Sequence, residues 1–205
     1  MDASQMQLRN AQLTALQNQI LPHYIVNTLD AFRMKLLVDG QDETAELLRC
    51  FQSSLRTYGF EPWERIPLEQ EIDFLEDYLK LQQFRYLGKL TWSVSLHKQT
   101  LALEIPRFLL QPLVENAVRH GLSADMERPQ LQIRSWLEDE ALCLSVSDNG
   151  KGCRGNNCSG GIGLDNVNRR LQLLYGHDCR VELEPLTEGG TCAIVRLPEK
   201  GGGFI

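Results

Sequence analysis

The sequence predicts an α+β chain, an N-terminal helical hairpin followed by a two-layer α/β sandwich with a mixed sheet. Three observations predict it. Apolar residues first recur at three- and four-residue steps, at Leu13, Leu16, Ile20, Ile25, Val26, Leu29, Phe32 and Leu36, the spacing of one helix face. From Leu90 the period becomes two, through Leu90, Trp92, Val94 and Leu96, then Leu131, Ile133, Ser135 and Leu137, then Leu142, Leu144 and Val146, as half-buried strands require. The order strand, helix, two strands, helix, two strands then suits a mixed sheet with helices on one face.

Each element follows from local signals. The first helix carries Pro22, which predicts a kink, and ends at the Asp39-Gly40 turn. A second helix runs from Asp42, a capping residue, to Tyr58 on the stripe Leu47, Leu48, Phe51, Leu55 and Tyr58. The segment Glu61 to Pro67 breaks the pattern, and helical spacing resumes through Ile72, Leu75, Leu79 and Gln83 until Gly88, as a connector. Helices are expected from Arg107 to about His120 and from Ile162 to Tyr175, and the last strands over Arg180 to Glu184 and Thr191 to Leu197. The apolar stripes of the first two helices are too extensive for a lone hairpin, which predicts a homodimer through a four-helix bundle.

Composition narrows the function. The 205 residues suit one large domain or two small ones, and 42% hydrophobic with 23% charged residues is ordinary globular usage. Lys and Arg number 21 against 27 Asp and Glu, a net charge of −6 without a long basic run, so no nucleic acid partner is expected. No stretch approaches the ~20 apolar residues of a membrane span, and Met1 to Gln19 is too polar for a signal peptide. A soluble, cytosolic piece is therefore expected. The six cysteines, at 50, 143, 153, 158, 179 and 192, are expected to be reduced, and Cys153 with Cys158 lacks the ligand number of a zinc site.

Chemistry concentrates in four places. Leu110 to Gly121 sets Glu115, Asn116, Arg119 and His120 into an apolar helix, which by itself suits a solvated face equally well. Asp148-Asn-Gly150-Lys-Gly152 follows a strand, where glycine lets backbone come close to a ligand, although alone it is a turn. Gly160-Gly161-Ile-Gly163-Leu164 opens a helix whose N–H groups suit phosphate oxygens. Gly189-Gly190-Thr191 leads into the last strand, and the polar segment Lys151 to Gly160 reads as a lid.

In this order and spacing, residues 86 to 198 resemble the ATP-binding domain shared by histidine kinases, the Hsp90 chaperone, type II topoisomerases and mismatch-repair ATPases. The resemblance implies that Asn116 binds Mg²⁺ with Glu115 near its waters, and that Arg119 or His120 lies near the phosphates. Asp148 would read the adenine amine over Gly150 and Gly152, Gly161 and Gly163 with Leu164 would cradle phosphate, and Thr191 would support the pocket. Mg²⁺ bound through one side chain plus ATP phosphates agrees with its preference for oxygen ligands and retained water.

The first helix contains Leu21-Pro-His-Tyr-Ile-Val-Asn27, which resembles the Pro-His-Phe-Leu-Phe-Asn box of LytS-like sensor histidine kinases, and Glu69 to Leu87 and Ile105 to Gly121 resemble further segments of that family. The resemblance implies that His23 takes the γ-phosphoryl group of ATP and passes it to an aspartate on a response-regulator receiver domain. Asn27 would orient water in a phosphatase reaction. Tyr24 stands where many histidine kinases place an acid, which leaves the proton acceptor open. The expected division is a phosphoacceptor and dimerisation region with its connector over 1–85, and an ATP-binding domain over 86–205. Relatives of this kind carry membrane-spanning sensors before such a region, so the expected setting is the cytoplasmic portion of a bacterial inner-membrane protein. Two rival readings keep the ATP pocket, a nucleotide-gated binding module without histidine phosphorylation and an Hsp90-like ATPase in which Glu115 activates water.

Overall fold

A computed structural model describes residues 25–55, 64–123, 125–152 and 162–198. The chain folds as two compact units that divide between Pro62 and Trp63. In the first unit, helix α1 (25–38) turns into α2 (Asp42–Leu55). Gly40 at φ +72° allows the turn, with its N–H on the Leu37 carbonyl and that of Gln41 on the Leu36 carbonyl, a helix-ending pattern that needs a left-handed residue. The two helices meet at Ala45 and Cys50, both buried, and Gln52 Nε2 donates to the Val26 carbonyl at 3.1 Å. Phe32, Met34, Val38 and Phe51 are exposed on this unit. The expected kink at Pro22 lies outside the described residues.

The second unit is a two-layer sandwich. Its sheet comprises β2 (Thr91–Leu96), β4 (Gln130–Glu138), β5 (Ala141–Asp148), β6 (Val181–Pro185) and β7 (Thr191–Pro198), in the order β2-β4-β5-β7-β6. The β2–β4 pairing is parallel and the other three are antiparallel, so the sheet is mixed as expected. Registers Leu131↔Asp148, Ile133↔Val146 and Leu144↔Val195 put one alternating set of side chains on a common face. That face is covered by α3 (Leu68–Arg85), α4 (Gln111–Asn116) and α5 (Ile162–Tyr175), which contribute Leu68, Leu75, Leu113, Leu164 and Leu171 to one core. Each leucine fully buried there stabilises by about 1.5–3 kcal/mol relative to exposure. The connector helix α3 thus packs into this unit, with Leu68, Ile72, Leu75 and Leu79 buried along it.

Two features depart from sequence expectation. The segment read as a break contains β1 (Arg65–Pro67), which pairs antiparallel with β3 (Glu104–Pro106) through Ile66↔Ile105. The helix expected from Arg107 begins at Gln111 instead, because Phe108 takes φ +55° and Arg107 is drawn to Glu64 at 2.9 Å. Among the described residues, no helix is long and apolar enough to cross a membrane.

Candidate functional site

The helix α4 is only six residues long, and it continues into a π-helical turn, Ala117–Gly121. There the Leu122 N–H reaches back to the Ala117 carbonyl at 2.9 Å, and the Tyr86 hydroxyl donates to the Val118 carbonyl at 2.9 Å. Such wide turns are rare and tend to mark functional positions. Apolar Leu113, Val114, Ala117 and Val118 face the core, leaving Glu115 and Asn116 half-buried and Arg119 and His120 exposed. Glu115 accepts a hydrogen bond from Gln111 Nε2 at 2.9 Å. Burial, followed by the Glu115 charge, pushes the Tyr78 phenol up to about 12.

These polar residues converge on α5. Pro112, Glu115, Asn116, Arg119, His120, Gly163 and Leu164 surround a cavity of ≈330 Å³. Gly163 is exposed at the mouth and Leu164 anchors the helix in the core at 3% exposure. The cavity therefore offers two oxygen-bearing side chains, two side chains rich in N–H donors and the first turn of a helix, a set suited to an anion with an associated cation.

Asp148 ends β5 on the helix-covered face, opposite Thr191 of β7. It is 5% exposed, and its Oδ1 accepts the Gly150 N–H at 2.8 Å. Burial raises its carboxyl above the ordinary value, opposed by backbone N–H bonds from Gly150 and Thr191. Glycine surrounds it by necessity. A Cβ on Gly121 would lie 2.6 Å from Asp148 Cγ, one on Gly150 would strike the Gly121 carbonyl, and one on Gly190 would strike the Asp148 carbonyl. The Lys151 N–H donates to the Gly121 carbonyl at 3.0 Å, fastening the loop after β5 to the end of the wide turn. Gly152, at φ +71°, passes so close to Gly190 that a Cβ would lie 3.1 Å from its carbonyl oxygen. Asn149 completes the turn, accepting the Gln130 N–H and donating to the Arg128 carbonyl, each at 2.8 Å.

A larger cavity of ≈720 Å³ opens at the strand ends between Trp92, Gln132, Ser147, Asp148 and Glu188. It includes Asp148 but none of the residues of α4, and its lining carries two acids, Asp148 and Glu188, with no arginine or lysine such as the smaller cavity has in Arg119. The smaller cavity is therefore the better anion site despite its size.

The structure thus brings together Glu115, Asn116, Arg119, His120, Gly163 and Leu164 in one place, and Asp148, Gly150, Gly152 and Thr191 in another, linked through Gly121. His23, Gly161 and the lid cysteines Cys153 and Cys158 lie outside the described residues. Asn27 is exposed on α1. Cys50, Cys143, Cys179 and Cys192 are free thiols, as expected. Sequence reasoning missed the packing of Gly121 and Gly190 against Asp148, and it missed Pro112 and the wide turn. Glycines flanking a buried acid were the available signal for the first; nothing in residue pattern marks the last.

Comparison with known proteins bears on the same two regions. A histidine kinase family model matches residues 11–90, and the model of histidine kinase-, DNA gyrase B-, and HSP90-like ATPases matches residues 104–201. Sensor protein LytS of Oceanobacillus iheyensis is 30% identical over 196 residues, covering 89% of this chain and 34% of that protein. Sensor histidine kinase YesM of Bacillus subtilis is 26% identical over 198 residues, covering 95% and 34%. Sensor histidine kinase BtsS of Escherichia coli K12 is 25% identical over 191 residues, covering 93% and 34%. The chain spans about a third of the length of these curated relatives. Among solved structures, the histidine kinase domain of the Erythrobacter litoralis EL346 blue-light activated kinase has a TM-score of 0.51 at 18% identity, covering 93% of this chain and 94% of that one. Acinetobacter baumannii AdeS gives 0.53 at 16% identity, covering 86% and 94%, and both likenesses concern fold.

Proposed function

The chain belongs to the sensor histidine kinase family, and from that premise we propose that it is a two-component kinase core that phosphorylates His23 from ATP and passes the phosphoryl group to an aspartate of a response-regulator receiver domain. The observation that supports this best is the buried Asp148 carboxylate, walled by glycines where no Cβ fits, within the same unit as the Asn116 cavity.

In this reading the glycine walls admit the flat adenine ring and Asp148 accepts a hydrogen bond from its exocyclic amine, which selects adenine over guanine. Arg119, His120 and the first turn of α5 face the phosphates. Among the described residues, no cluster of three or more His, Cys, Asp and Glu stands ready to hold a metal alone. The oxygens of Asn116 and Glu115 suit Mg²⁺ completed by water and phosphate, and that ion would neutralise charge on the triphosphate.

The rest is positioning. A ring nitrogen of His23 forms the P–N bond as the bond from the γ-phosphorus to its bridging oxygen breaks, ADP departs, and the imidazole loses a proton. Imidazole titrates near pH 6.5, so the neutral nucleophile is abundant at pH 7. The receiver aspartate then takes the phosphoryl group and His23 regains a proton.

Exposed Phe32, Met34, Val38 and Phe51 support pairing of the helical unit with a second copy. The length of the relatives supports a parent protein in which a membrane-bound sensor precedes this region and holds it on the cytoplasmic side. The decisive experiment is incorporation of ³²P from γ-labelled ATP. Label that is stable to base, lost in acid and absent from His23→Gln, with ATP binding retained, is expected. Undiminished label in that variant excludes His23 as acceptor, and fast ATP turnover with no acid-labile label favours an ATPase.

A further inference from the structure

Glu71 lies in the buried stripe of α3, one turn after Leu68 and one turn before Leu75, and it is 0% exposed. A buried carboxylate needs partners, because an uncompensated charge in a protein interior is strongly destabilising. Its partners stand at the entrance to α4. Phe108 donates its N–H to Oε2 at 2.8 Å, and Leu110 donates its N–H to Oε1 at 3.0 Å. One side chain therefore holds both the left-handed residue of this turn and the residue directly before Gln111. The first N–H groups of a helix lack intrahelical acceptors and form the positive end of its dipole, so an anion there steadies the helix start.

The same carboxylate serves α5. Arg170 interacts electrostatically with Glu71, and its Nε and Nη2 are buried without a hydrogen-bond partner. Burial raises the Glu71 carboxyl above its ordinary value and lowers the Arg170 guanidinium, each partly offset by the other, and Arg170 lies about two turns along α5 from Gly163. The two walls of the ≈330 Å³ cavity are Asn116, on the helix whose entrance Glu71 holds, and Gly163, on the helix that carries Arg170.

We propose that Glu71 is a positioning residue for nucleotide binding, fixing the start of α4 and the flank of α5 and thereby the gap between Asn116 and Gly163. The inference rests on reading that cavity as the triphosphate site. Glu71 touches none of the cavity-lining side chains through its hydrogen bonds, so it acts through the two helices.

Glu71→Gln keeps the shape, removes the charge and turns an amide NH₂ toward a backbone N–H. With the whole chain, calorimetric titration with Mg-ATP should show a Kd raised roughly 10- to 100-fold, the range for losing a group that orients a binding residue. Amide exchange at Phe108 and Leu110 should quicken. Adding Arg170→Met to Glu71→Gln should recover part of the affinity, since the stranded guanidinium is removed. A merely structural role would lower Tm and leave the Kd of the folded protein unchanged, and that result overturns the proposal. If Glu71→Gln does not fold, Arg170→Met alone decides: weakened ATP binding in the folded variant supports the proposal and unchanged binding overturns it. A wild-type chain that binds no ATP would overturn the functional reading and this proposal with it, whereas wild-type binding with an unaffected Glu71→Gln overturns the proposal alone.

Discussion

Gly121→Ala is the sharpest test of the proposed adenine site, because it adds one methyl group and no charge. Gly121 is buried and its φ lies outside the left-handed region, so alanine meets no backbone penalty and the effect is purely steric. The new Cβ would stand 2.6 Å from Asp148 Cγ and 2.8 Å from Oδ2. Heavy-atom contacts settle near 3.5 Å, so the carboxyl must retreat by roughly 1 Å. It has little room to do so, since Oδ1 is held by the Gly150 N–H at 2.8 Å and the residue sits in the β5 ladder between Leu131 and Thr191. Overpacking of this kind costs about 1–3 kcal/mol, which for a chain of this size lowers Tm by roughly 2–12 °C. Loss of a hydrogen bond to a charged group is worth about 1.5–3 kcal/mol, so the Kd for ATP should rise roughly 10- to 160-fold. Calorimetric titration with ATP and with inorganic tripolyphosphate, beside thermal denaturation, separates the two effects. ATP affinity should fall while tripolyphosphate affinity holds. A folded Gly121→Ala chain with wild-type affinity for ATP would refute the placement of adenine against Asp148.

Asp148→Asn should separate stability from binding. Burial raises the native carboxyl above its ordinary value of 3.8, so the native state holds this proton more tightly than the unfolded state does. The stability it contributes is therefore complete below that value and is lost as pH rises through the native pKa. Asparagine stays neutral and keeps an oxygen for the Gly150 N–H. The unliganded variant should resist urea better than wild type at neutral pH, and the advantage should vanish below 3.8; the reverse order contradicts the burial argument. Phe32→Glu places a charge on the 59% exposed phenylalanine of α1, and sedimentation equilibrium at micromolar concentration should find wild type dimeric and the variant monomeric. A monomeric wild type removes the dimer from the proposal.

Much of this architecture was legible because it rests on local pattern. Strand β4 alternates Leu131, Ile133 and Ser135 inward, and α5 repeats Leu164, Val167 and Leu171 on one face, periods that survive any tertiary context. Strands β1 and β3 were not legible, since three residues each carry no period and their pairing joins Ile66 to Ile105 across the whole of α3 and β2. The start of α4 was misplaced for a similar reason: the group that receives the Phe108 and Leu110 N–H groups is Glu71, on another helix. That acid had left a trace, a charge inside the stripe from Leu68 to Leu75. At the site, residue types were readable as a motif, but the interlocking of Gly121, Gly150 and Gly190 around Asp148 depends on how three separate loops pack. The proposed phosphoacceptor, His23, was readable only through a resemblance, because a lone histidine carries no mark of its use.

The wide turn at Ala117–Gly121 also constrains how such a chain can change over generations. A π turn is an α-helix that has absorbed one extra residue, and it survives where something satisfies the carbonyl it displaces. Here that partner is the Tyr86 hydroxyl, on the residue that caps α3. Removing one residue from the turn would rewind it to α geometry and rotate the downstream residues by about 100°, carrying Arg119 and His120 away from the cavity. The insertion and the tyrosine form a single inherited unit: descendants that lose the phenol should lose the extra residue too, and those that retain both keep an arginine and a histidine at the same opening.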